Sequence, residues 1–328
     1  MAENRDRNMF RLALDRVPFL RARDKIRVDS VLDGSARLSV LSPRSLEELL
    51  GRRLGVRSRG TASGGSNGEP VWTPREWEAL AERDLEWFSS ADIGFCAFAD
   101  AEYPPVLRET ARPPFLLYYR GRLPDPERPL LGMVGTRYPT GRGLEEAYRL
   151  AAEAVRLGLP VVSGLARGID AASHRGAVEA GGPTWAVLGN GIDSIYPARN
   201  RELAVRVLET GGGIISEYPP GAEPLKYRFP ERNRILAGLC RAVLVVEAPR
   251  KSGALITAEF ALEEGRDVLV SASCLDSPRS EGCARLRYEG APAVLDLSRL
   301  AEEWGRTPRK TRTEANRELF APVMERGW

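Results

Sequence analysis

Ten consecutive residues hold the densest chemistry in the chain: Lys226-Tyr227-Arg228-Phe229-Pro230-Glu231-Arg232-Asn233-Arg234-Ile235. A loop with this many cations and two aromatic rings is an odd cover for a core. It suits an unpaired nucleic acid, whose phosphates attract the cations while a splayed base stacks on a ring. A core-plugging Phe229 among solvated arginines is the plainer alternative. Two further loops belong with this one. Gly135-Thr136-Arg137 and Ser163-Gly164-Leu165-Ala166-Arg167-Gly168 each follow a short apolar run, where glycine permits close backbone approach and an arginine supplies charge.

Other candidates fit catalysis poorly. Gly135 lacks the continuation of a dinucleotide fingerprint, and Pro249-Arg250-Lys251-Ser252 lacks the first glycine of a P-loop. His174 is the only histidine, and no Gly-x-Ser-x-Gly elbow accompanies it, so it reads as a helix residue bonded to a backbone group. Asp170, Asp193, Glu217 and Glu247 stand at strand ends or helix starts, where a cap or an ion pair with a nearby arginine accounts for each. No catalytic residue, cofactor or metal site is assigned.

These loops need a scaffold that gathers them on one side. Apolar runs at Leu130–Val134, 160–162, Thr184–Leu188, 213–215, 241–246 and 267–270 alternate with segments of helical periodicity. That pattern predicts a doubly wound, mostly parallel sheet with helices on both faces, its loops collected at the carboxyl ends of the strands. Arg137, Arg142, Arg167, Arg250 and Lys251 all fall on that edge. Asp170 is the expected cap of a helix running to Ala180, and Ser252 of one running to Glu264. A helix over 281–288 and a strand near 293–295 complete the domain. The prolines of 113–119 place that run at an edge. Residues 1–56 read as a small helical module, with Phe10, Leu14 and Val17 on one face and a helix start at Ser45. Residues 57–73 read as a Gly/Ser-rich linker, 74–300 as the main domain, and 301–328 as a basic, partly disordered tail.

Composition sets outer bounds. A 43% hydrophobic and 28% charged chain of 328 residues can bury a sizeable core. No run suffices to span a bilayer and the N-terminus lacks a signal-peptide core, so a cytoplasmic location is expected. The four cysteines lack paired ligand spacing, which fits a reducing compartment. The net charge of +3 is too small to argue for nucleic acid, but seven basic residues against three acidic ones lie between positions 220 and 253.

Seven ordered motifs between Tyr103 and Val294 together resemble the DNA-processing protein A family (DprA, also called Smf). They are Gly135-Thr136-Arg137, the run from Ser163 to His174, Ala186–Gly191, Ile195-Tyr196-Pro197, Ser216–Gly221, Phe229–Arg234 and Ser252–Ala258. The resemblance implies an extended Rossmann fold and a dimeric, non-catalytic protein. It would bind single-stranded DNA, protect incoming DNA and load the RecA recombinase during natural transformation. It casts Gly135, Thr136 and Arg137 as a phosphate-gripping turn, Lys226 as a backbone contact and Phe229 as the base-stacking ring. Arg167, Asn233 and Arg234 fall in matching basic motifs. Val270-Ser271-Ala272-Ser273 and Gly282-Cys283-Ala284 depart from the family's Val-Pro-Gly and Gly-Thr/Cys-Asn, toward the part that builds the dimer and meets RecA. No C-terminal winged helix is expected. The rival reading is an enzyme on a nucleotide-like substrate, a phosphoribohydrolase of Rossmann type. Its Pro-Gly-Gly-x-Gly-Thr string is missing, and Glu217 or Glu247 would have to serve it.

Overall fold

The computed structural model describes residues 2–32, 37–58 and 70–306. Strands β1 (Arg57–Ser58) and β2 (Val71–Trp72) form a two-stranded parallel pair. The other nine build one sheet: β3 (Ile93–Ala97), β4 (Leu116–Gly121), β5 (Leu130–Val134), β6 (Val161–Ser163), β7 (Thr184–Leu188), β8 (Gly213–Ser216), β9 (Cys240–Val245), β10 (Asp267–Ser271) and β11 (Ala293–Val294). Their order is β11-β10-β9-β5-β6-β7-β8-β4-β3, parallel from β11 to β8. The expected doubly wound sheet is therefore present, with strand bounds within about a residue of those read from the sequence. The chain runs outward from β5 to β8 and then returns to β9 on the other flank of β5, which puts a topological switch point beside β5.

The run 113–119 is not at an edge. Its prolines precede β4, which pairs antiparallel with β8 on one side and β3 on the other. The edge belongs to β3, which the sequence reading did not single out. Alternate residues of the strands feed opposite faces, as a period of two requires. Leu131 and Met133 pack with α6 (Gly141–Arg156), α7 (Ile169–Glu179) and α12 (Ser298–Glu303). Val134, Val187 and Val243 pack with α9 (Arg228–Leu239), α10 (Gly253–Glu263) and α11 (Glu281–Tyr288), and Leu107 of α5 (Pro105–Arg108) joins them. The side chain of Ser252 caps α10 as expected, but α7 starts one residue after Gly168, with Asp170 in its first turn.

The N-terminal helices are α1 (Ala2–Asp15), α2 (Ala22–Leu32) and α3 (Pro43–Leu50), followed by α4 (Pro74–Ala91). Ser42, not Ser45, is the cap of α3, and Ser45 completes a capping box with it. Phe10, Leu14 and Val17 are buried as their spacing implies, but not in a core of their own. They share one apolar cluster with Trp72, Trp77, Phe88, Tyr118, Leu188 and Leu203 of α8 (Arg201–Glu209). Buried ion pairs run the same way. Arg11 binds Asp29 at 2.9 Å and Asp100 at 2.7 Å, Arg16 pairs with Asp84, and Tyr118 donates to Asp15 at 2.8 Å. The boundary drawn at 57–73 thus does not separate two cores, and the ends of that stretch are β1 and β2. The Gly/Ser-rich centre, 59–69, lies outside the described residues. So does the basic tail from 307 onward, whereas α12 carries ordered chain past 301, with Ala301 and Trp304 buried. Among the described residues no helix is long and apolar enough to cross a membrane.

Candidate nucleic-acid interface

Above the carboxyl ends of β5, β6 and β7 lies an open cavity of about 170 Å³. Arg137 and Tyr138 come from the loop after β5, Gly164, Ala166 and Arg167 from the loop after β6, and Tyr196 and Pro197 from the loop after β7. Phe229 and Arg232 reach in from α9. Phe229 sits in the first turn of α9 and Arg232 lies three residues on, so both project from one helix face. A Cβ at Gly189 would stand 2.9 Å from the Phe229 ring, which is how the ring settles against the end of β7. The Arg137 guanidinium lies over the Phe229 ring, 5.3 Å from its centroid, and the Tyr196 ring lies 5.5 Å away at 40°. Tyr196 is joined to Pro197 by a cis peptide bond.

The structure sorts the expected site residues into two groups. Arg137, Arg167 and Phe229 converge on the cavity, and both arginines are exposed. Lys226 is exposed in the turn just before α9 and does not line the cavity. Gly135 and Thr136 are engaged in packing. The Thr136 amide donates to the Glu247 carbonyl at 2.7 Å, and its carbonyl accepts from the Ile169 amide at 3.2 Å. A Cβ on Gly135 would collide with Ile169 and the Glu247 carbonyl. Their backbone ties β5 to β9 and α7, so only the Arg137 side chain of that turn is presented outward. Asn233 and Arg234 lie within α9, which begins at Arg228. The Asn233 amide reaches the Gly253 carbonyl at 3.3 Å, and Arg234 is turned into a half-buried ion pair with Glu217 while donating to the Arg112 carbonyl at 2.7 Å. Two of the Arg234 donors are thereby already engaged within the protein, which leaves it less free than Arg137 to meet a phosphate.

Arg232 is the residue that the sequence reading left out. Only 4% exposed, it donates through Nη1 to the Gly164 carbonyl at 3.0 Å and through Nε to Asn233 Oδ1 at 3.2 Å. A Cβ on Gly164 would meet both Arg232 Nη2, at 2.5 Å, and Asp170 Oδ2, at 2.6 Å. A glycine there keeps room for this buried charge pair. Burial pulls the Arg232 pKa down to about 10 against the opposing pull of Asp170, and burial raises that of Asp170 against Arg232. At neutral pH the guanidinium keeps its charge. The one signal that could have found it is the three-residue step from Phe229.

The remaining candidates are structural. His174 is fully buried, with Nδ1 2.9 Å from the Thr184 hydroxyl, so its partner is a side chain and not the expected backbone group. Burial, and then Arg232, lower its pKa to about 3. Glu247 receives the Thr140 amide and hydroxyl, both at 2.8 Å, at the start of α6, and the Ser277 hydroxyl as well. Burial pushes Glu217 up to about 7, despite its pairing with Arg234. Neither glutamate lines the cavity. Of the two family departures, Val270, Ser271, Gly282 and Cys283 are buried, whereas Ala272 and Ser273 are half-buried and Ala284 is exposed. The four cysteines are free and buried.

Sheet order, switch point and cavity define an α/β protein of extended Rossmann type with a basic and aromatic carboxyl edge. The profile of the DNA recombination-mediator protein A family matches residues 94–305. The chain belongs to that family. It is 46% identical over 228 residues to Protein Smf of Synechocystis, covering 68% of this chain and 57% of that protein. With DNA processing protein DprA of Streptococcus pneumoniae it shares 43% identity over 217 residues, 66% of this chain and 74% of the relative. The match thus spans little more than half of the Synechocystis protein. Among solved structures, S. pneumoniae DprA superposes with a TM-score of 0.68 at 31% identity, covering 89% of this chain and 95% of that one. A Helicobacter pylori DprA structure, described as revealing a single-stranded DNA binding mode, gives 0.56 at 26% identity over 64% of this chain and 94% of its own.

Proposed function

We propose that the chain binds single-stranded DNA across the carboxyl edge of its sheet. Arg137 and Arg167 hold phosphates, Lys226 extends that contact beside the cavity, and a base stacks against Phe229. The observation that carries this reading is the convergence of Arg137, Arg167 and Phe229, three residues far apart in sequence, on one open cavity. The binding mode described for the H. pylori relative supports it. In the same reading the protein acts as a homodimer that protects incoming DNA and loads RecA during natural transformation. The family's description as a recombination mediator supports this part.

Titration of fluorescent oligonucleotides at several salt concentrations tests the site. Phe229→Ala weakens binding about tenfold or more, since stacking contributes about 1–3 kcal/mol per base. Arg137→Ala and Lys226→Ala each flatten the salt slope by about 0.7, the share of one phosphate contact on a single strand. Unchanged affinity in all three variants places the site elsewhere.

A further inference from the structure

Stacking and phosphate contacts are blind to base identity, but the cavity offers more than these. It holds Arg232, a buried cation whose Nη1 and Nε are bonded to Gly164 and Asn233. Nη2 makes no hydrogen bond to the described residues, nor is it among the sealed, unpartnered polar atoms of the interior. Arg232 lines the cavity, with Asp170 the acid nearest to hand on the protein side. The side walls are the Phe229 and Tyr196 rings and Pro197, surfaces suited to the flat face of a base, while Arg137 and Arg167 hold the exposed positions suited to phosphate.

We infer that Arg232 reads the edge of the inserted base, donating from Nη2 to an exocyclic carbonyl oxygen, so that the site prefers bases bearing such a group (thymine, cytosine, guanine) to adenine. This rests on the proposed single-stranded DNA site and adds a discriminating residue to it. The guanidinium is fixed by two bonds to the protein, so its donor is oriented before the base arrives and little order remains to be imposed. Adenine offers only ring nitrogens as acceptors and brings an amino group that a cation repels. A fixed donor left facing such an edge, without a partner and away from water, works against binding.

The test uses oligonucleotides whose residues are abasic except for one, which carries hypoxanthine, adenine or thymine, beside a fully abasic control. Hypoxanthine and adenine are purines of similar size and stacking face that differ at the exocyclic position, carbonyl against amine. Hypoxanthine is expected to bind about tenfold more tightly than adenine, the scale of a hydrogen bond to a charged group. In Arg232→Lys, which keeps the charge and loses the planar fork, that ratio falls toward one. Because it compares two ligands on one protein, the ratio is insensitive to partial unfolding of the variant. Equal binding of hypoxanthine and adenine, with both tighter than the abasic control, overturns the inference and leaves the stacking site intact. A preference that persists in Arg232→Lys also overturns it. Failure of every oligonucleotide to bind removes the underlying site as well.

Discussion

Arg137 and Phe229 are both proposed to meet DNA, yet in the free protein they meet each other, guanidinium over ring. A contact of this kind contributes about 0.5–1 kcal/mol at an exposed site. An entering base must take the arginine's place, and the arginine must move to a phosphate. Each single alanine variant therefore loses its DNA contact and is relieved of breaking the ring contact, so it understates the contact's worth. The double variant Arg137→Ala/Phe229→Ala should weaken binding by more than the two single losses combined, with an excess of about 0.5–1 kcal/mol. Additivity within about 0.3 kcal/mol in a titration cycle sinks the displacement idea. The two residues could be read as chemistry from their types alone. Their contact could not, because it joins loops that only the sheet brings together.

Among the elements, the junction of β8 with α9 matters most, since it sets where α9 starts and hence where Phe229 points. It is fastened by Glu217 and Arg234, with Tyr218 donating to Glu231 at 3.0 Å and Arg228 lying 4.7 Å over the Tyr218 ring. Around Glu217 stand Arg234, which stabilises its charge, and Glu231 and Asp15, which oppose it. Burial outweighs the pairing and lifts this carboxyl from 4.5 to about 7. The folded state thus favours the protonated form more than the unfolded chain does. Its stabilising effect is full below about 4.5 and is lost as pH rises through about 7. Urea midpoints should fall across that interval in the natural protein, and Glu217→Gln should remove this part of the decline. An unaltered pH profile in the variant excludes Glu217 as its source. The parallel strands and their helices were legible because apolar runs and helical spacing are local signals. Strand β3 was missed: its five residues include Gly94, and only Cys96 and Ala97 are adjacent fully buried positions. The pairing of Arg234 was not legible, because an ion pair with a residue 17 positions away leaves no mark in a local run of cations.

For the molecule as a whole, the N-terminal helices and the sheet share one apolar cluster. The Gly/Ser-rich composition between them is a weak sign of a boundary, because composition carries no record of packing across it. Arg11 is the clearest case, buried and bonded both to Asp29 of α2 and to Asp100 beyond β3. Arg11→Ala should lower stability by about 3–5 kcal/mol, the usual result of stranding a buried charge; denaturant unfolding measures it, and a loss below 1 kcal/mol argues against the network. The span matched by the family profile opens at residue 94, yet Asp100 and Tyr118 within it find their partners before residue 16. A fragment trimmed to that span would carry a stripped apolar flank and orphaned acid and phenol groups into solution. It should precipitate, or need detergent, where the longer chain stays clear. The stretch matched by the family profile is shorter than the stretch whose buried partners hold it together.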